Sequence, residues 1–115
     1  MIDQRQIDDF EKHGVICLRG YFNNWVDVLR EGIEKLIRNP SPRERSYIPE
    51  DGSAPFFQDL CNWQRIQEFE DFIFNSNAGK IASKLMKSKS SRFFHDHVLV
   101  KEPGSSIVTP WHQDQ

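Results

Sequence analysis

His112 and Asp114 stand two residues apart near the C-terminal end of the chain. On a strand, residues at that spacing point to one face. An imidazole and a carboxylate so placed can take two adjacent positions on a single metal ion. The 2-His-1-carboxylate set binds Fe(II) on three sites and leaves others open for a co-substrate and O₂. By itself the spacing is a weak signal, because a surface His beside a nearby carboxylate produces it equally well. His95 and His97 form a second pair at the same spacing. A His-x-His pair can bind zinc, which normally takes three or four protein ligands. A zinc-dependent hydrolase using His95, His97 and His112 is therefore one alternative. Small-molecule sites use few well-placed polar groups, and His97 suits such a role.

Several elements must position these residues. Asp3 is a good N-cap and Gln6 completes a capping-box pattern, so a helix is expected over Asp3 to His13, ended by Gly14. His13 then falls where the helix dipole favours a cation. The apolar run Val15-Ile16-Cys17-Leu18 predicts a short buried strand. Trp25, Val28, Leu29, Gly32, Ile33, Leu36 and Ile37 recur at helical spacing, and Asn39-Pro40-Ser41-Pro42 stops that helix. Residues 41–55 hold three prolines and a glycine and read as a loop. Trp63, Ile66, Phe69 and Ile73 predict a third helix, and Ala78 to Lys87 a fourth. Arg92 to Lys101 reads as a strand, Pro103-Gly104-Ser105-Ser106 as a turn, and Ile107-Val108-Thr109 as a new strand running into the His112 segment.

The string from His95 to Gln115, with Leu99-Val100-Lys101-Glu102-Pro103-Gly104 followed by Thr109-Pro110-Trp111-His112-Gln113-Asp114, closely resembles the central segment of the phytanoyl-CoA dioxygenase family. The resemblance is tight over these last residues and covers the N-terminal helices only in general layout. It implies an α+β chain whose N-terminal helices flank the first strands of a double-stranded β-helix, a jelly-roll barrel. It implies Fe(II) held by His112 and Asp114, with 2-oxoglutarate as co-substrate beside Gln113 and His97. The reaction implied is hydroxylation of an unactivated C–H in a small-molecule substrate, with O₂ consumed and 2-oxoglutarate converted to succinate and CO₂. The family's second iron His and its co-substrate Arg have no position in this sequence, and no counterpart of an upstream co-substrate Lys stands near Phe56 to Asp59.

Helices come first and strands begin near the C-terminal end. A domain finished there would leave an exposed strand edge. The expectation is that residues 1–115 form the N-terminal part of one such domain, with about three of roughly eight barrel strands, inactive alone. A different class stays open: a non-catalytic α+β module, or a relic, that binds a partner through its strand edge.

Composition bounds the rest. A 115-residue chain is one domain or part of one, and 37% hydrophobic with 28% charged residues is ordinary for a folding chain. A net charge of −2 supplies no field for nucleic acid or an acidic membrane. The basic run Lys80, Lys84, Lys87, Lys89 and Arg92 reads as the solvated end of a helix. Two cysteines, Cys17 and Cys61, are too few for a disulfide framework and read as buried apolar fillers. No signal peptide or membrane span is evident, so a reducing, cytoplasmic setting is the default.

Overall fold

The computed structural model describes residues 1–113. In chain order the elements are α1 (Gln4–His13), a 3₁₀ turn (Asn23–Trp25), α2 (Val26–Arg38), β1 (Phe56–Leu60), α3 (Gln67–Asn75), α4 (Ala78–Leu85) and β2 (His97–Lys101). This is an α+β arrangement of four helices and one antiparallel pair of strands among the described residues.

The capping box forms as the sequence requires. The Gln6 amide donates to Asp3 Oδ1 and the Asp3 amide to Gln6 Oε1, both at 2.9 Å. Gly14 closes α1 in the left-handed region at φ 72°, its N–H donating to the Phe10 carbonyl. The strand expected over Val15 to Leu18 does not form. A strand needs a partner's ladder hydrogen bonds, and no described segment pairs with it. Val15 is 70% exposed and Cys17 is exposed too. Cys61 is likewise exposed, so neither cysteine fills the core as composition suggested.

The core is built where α2 crosses α3. Leu36, Ile66 and Phe69 are buried there, with Leu29, Ile33, Phe57, Trp63 and Val98 packed around them. Gly32 lets the two helices approach: a Cβ at that position would stand 2.7 Å from Phe69 Cε1 and 2.9 Å from Glu68 Cβ. Lys35 of α2 pairs with Glu68 of α3 and with Glu31 of its own helix. Those contacts raise the Lys35 pKa, and Lys35 holds the Glu68 carboxyl below its ordinary value. Phe72 receives the edges of Phe22 and Trp25, which fastens the 3₁₀ turn to α3. Lys87, just past α4, reaches Glu11 of α1 at 2.7 Å.

The sheet was half legible. β1 was not foreseen; it pairs antiparallel with β2 in the register Phe56↔Lys101 to Leu60↔His97. Its far edge takes up part of the expected loop. Tyr47 and Phe56 exchange N–H···O bonds of 3.0 and 2.9 Å, and the Arg45 amide donates to the Gln58 carbonyl. β2 is shorter than the expected strand from Arg92. Asp96 ends it, because its carboxylate accepts from the Asn62 and Trp63 amides and its carbonyl from the Cys61 amide. The strand expected at Ile107 to Thr109 does not form. The Ser106 amide donates to Ser53 Oγ at 3.1 Å and no ladder joins this stretch to β2. The described residues hold a two-stranded sheet and no barrel. No described helix is long and apolar enough to cross a membrane.

Candidate metal and co-substrate site

β2 has two distinct faces. Val98 packs on the helical core, and Val100 follows it on that side; His97, Leu99 and Lys101 alternate onto the exposed side. His97 is the first residue of the strand, paired with Leu60. It lines a cavity of about 640 Å³, where Asp96 and Leu99 meet Phe69, Phe72, Ala82 and Met86 of the helices. That places His97 at a pocket of small-molecule size.

At the other end of β2, the Lys101 ammonium lies 4.8 Å from the centroid of the Phe56 ring. It also donates to Thr109 Oγ1 at 2.7 Å. Thr109 opens the segment that carries His112. The four steps from His97 to Lys101 span about 13 Å, so the two ends of the strand serve different contacts.

His112 is exposed, and its Nδ1 lies 2.8 Å from the Pro110 carbonyl oxygen. A carbonyl only accepts, so Nδ1 carries the proton in that bond. In the neutral ring the lone pair then sits on Nε2. A metal-binding His commonly donates its other ring N–H to a backbone carbonyl in this way. The donor chemistry of His112 therefore fits a divalent cation of the iron type. Gln113 follows it and is exposed. Asp114, the expected carboxylate ligand, lies outside the described residues. The shared strand face expected for His112 and Asp114 has no ladder behind it, since residues 107–113 form no strand.

The zinc alternative fails on geometry. Among the described residues no three His, Cys, Asp or Glu side chains come together as a metal-holding group, so His95, His97 and His112 do not converge. His95 instead meets the Phe94 ring edge-on at 4.5 Å between centroids.

Two carboxylates build the frame beneath the site, and neither was singled out from sequence. Asp59 of β1 is fully buried and accepts from the Ser41 amide at 2.7 Å, the Ser41 hydroxyl at 2.6 Å and the Leu60 amide at 2.8 Å. Burial alone would push its carboxyl up. The hydrogen bonds from Ser41, Asn62 and Leu60 outweigh that and hold it below its ordinary value. Asp96 ties residues 61–63 to the start of β2, next to His97. The sequence signal for Asp96 was an Asp beside a strand start, where short carboxylates bond nearby amides. Arg43 completes the frame, donating to the Leu60 and Cys61 carbonyls.

The loop of residues 41–55 is fastened at its tip as well. Ser53 Oγ and Ser106 Oγ are 2.9 Å apart, which joins the loop to the turn after β2. Ser53, through its hydroxyl and its amide, and then Ser106 hold the Asp51 carboxyl below its ordinary value.

No curated protein and no solved structure matches the chain significantly. A sequence profile of the phytanoyl-CoA dioxygenase family matches residues 10–115, a span that includes α2 to α4, both strands and the His112 segment. The chain belongs to the phytanoyl-CoA dioxygenase family.

Proposed function

We propose that this chain contributes to an Fe(II)- and 2-oxoglutarate-dependent dioxygenase that hydroxylates a small organic molecule. His112 and Asp114 are the first His and the carboxylate of the iron site, and His97 and Gln113 face the co-substrate. The observation that carries the reading is the family match running through the His112-x-Asp114 pair. The Nδ1–H bond from His112 to Pro110 supports it, because a metal-binding His commonly donates its other ring N–H to a backbone carbonyl. The helices and the first strands belong with this segment in one domain whose fold is the family's β-helix barrel.

With iron and 2-oxoglutarate bound, the site would use O₂ to hydroxylate a C–H bond while 2-oxoglutarate is converted to succinate and CO₂. The residues of the chain have narrower tasks. His112 presents a fixed tautomer. His97 sets a polar group at the edge of a largely apolar cavity that Ser91, Arg92 and Asp96 also line, and few such groups suffice to orient a bound molecule. Phe69, Phe72 and Met86 give the cavity apolar walls.

Iron binding is the direct test of the ligand assignment. The experiment is anaerobic equilibrium dialysis of Fe(II) against the chain, with and without 2-oxoglutarate, in the native sequence and in His112→Ala. Expected is iron retention that rises with 2-oxoglutarate and falls at least about tenfold in the variant. Iron retention indifferent to both changes contradicts the reading. Zinc held at one equivalent whatever the co-substrate also contradicts it.

A further inference from the structure

Lys101 ends β2 and is exposed, where a long cation ordinarily contributes little. Its surroundings here are specific. The ammonium sits over Phe56, its direct partner in the β1–β2 register. Phe56 is only 8% exposed and is stacked by Tyr47, at 6.1 Å between centroids and 26° between planes. Tyr47 is itself bridged to Phe56 through both backbone groups. The platform under the ammonium is therefore fixed by a ladder, a bridge and a ring stack. From that platform Lys101 donates to Thr109 Oγ1 at 2.7 Å.

The segment it reaches is exposed. Residues 107–113 form no strand, Val108 is 81% exposed and Trp111 is fully exposed. Upstream, the turn is fastened by Ser106 to Ser53, six residues before His112. The Lys101–Thr109 bond lies three residues before His112. It lies nearer to His112 than the Ser106–Ser53 contact and it joins the segment to the sheet.

We propose that Lys101 is a positioning residue that clamps the His112 segment to the sheet, using the Phe56–Tyr47 stack as its base and Thr109 as its grip. The inference rests on the assignment of His112 to the iron site, and it assigns the holding of that ligand to a cation on the neighbouring strand. Lys101 touches neither metal nor co-substrate in this scheme. A cation over an aromatic face and one hydrogen bond together suffice to bias an exposed segment by about tenfold.

The test compares the native chain with Lys101→Met, Lys101→Arg and Thr109→Val. Backbone ¹⁵N order parameters are read at Val108, Thr109, Trp111 and His112, and Mn(II) line broadening is read at His112. The clamp predicts order parameters near about 0.8 in the native chain, falling below about 0.6 in Lys101→Met and in Thr109→Val. Amides of α2 and β1 should not change. Lys101→Arg, which keeps the cation and its donors, should restore the native values. Mn(II) affinity at His112 should fall about two- to tenfold in Lys101→Met and recover in Lys101→Arg. Native order parameters already below about 0.6 overturn the clamp. So do unchanged values in both disrupting variants, or an Arg variant that behaves like Met. If Lys101→Met fails to fold, Thr109→Val decides alone, since it removes only the acceptor. Order lost in the variants with no Mn(II) broadening at His112 in any protein supports the clamp and removes the iron reading.

Discussion

Asp59 shows how a single carboxylate can fix the frame behind a site. Its two oxygens accept bonds from Ser41 and Leu60 while the side chain has no contact with solvent. Its carboxyl is held below its ordinary value of 3.8. The stability it contributes is therefore present in full above that value and is lost as the pH falls through the lower folded-state value. Asp59→Asn replaces one acceptor oxygen with an NH₂ facing the Ser41 amide. The expected cost is about 1–3 kcal/mol at neutral pH, read from denaturant melts. The gap between the two proteins should narrow as the pH drops below 3.8. An equal gap at neutral and strongly acidic pH would contradict the assignment. None of this was legible in the sequence: Asp59 sits in Phe56-Phe57-Gln58-Asp59-Leu60, and only the pairing of that run with β2 turns the Asp inward to Ser41. The site residues were legible to different degrees. His97 is the first residue of β2 and lines a cavity. His112 carries a ring hydrogen bond suited to a ligand, whereas Asp114 lies outside the described residues.

At the scale of elements, helices were more readable than strands, for one physical reason. A helix closes its hydrogen bonds within its own sequence, so caps and periodicity announce it. α1 begins at the Asp3 capping box and stops at Gly14 as its residues dictate. Asp3→Ala should cost about 1 kcal/mol in α1. Because α1 buries none of its residues, the loss should show as faster amide exchange confined to α1. Exchange spreading equally into α2 would contradict that local reading. A strand depends on a partner far away in sequence. Val15 to Leu18 has strand-like residues and no partner, while Phe56 to Leu60 finds one 37 to 45 residues on. Gly32 belongs to this scale too. Gly32→Ala should gain about 1 kcal/mol in helix propensity. The new Cβ would meet Phe69 at 2.7 Å and Glu68 at 2.9 Å, and overpacking of that kind costs about 1–3 kcal/mol. The clash with a buried ring and a neighbouring Cβ should win, and the variant should melt below the native chain. A higher melting temperature would mean that α2 and α3 are not this close.

At the scale of the whole molecule, the core is thin and one-sided. The radius of gyration is 16.4 Å, against about 13 Å for a compact chain of this length. Phe94, Val108 and Trp111 are largely exposed, all of them near the site or in the segment that carries it. The helices bury one face of β2 and leave the face of His97, Leu99 and Lys101 open. On that open face the structure joins the Thr109 segment to Lys101. The arrangement puts the packed helices on one side of β2 and the His112 segment on the other.

The proposed placing of the metal at the His112 segment has a direct spectroscopic test. Mn(II) is a paramagnetic stand-in for Fe(II) that needs no exclusion of air. Titrated into ¹⁵N-labelled chain with 2-oxoglutarate present, it should broaden His112, Gln113 and Asp114 first and His97 next, and His112→Ala should abolish the effect. Broadening that begins at acidic surface residues such as Glu11 or Asp27, with His112 unaffected, would contradict the claim.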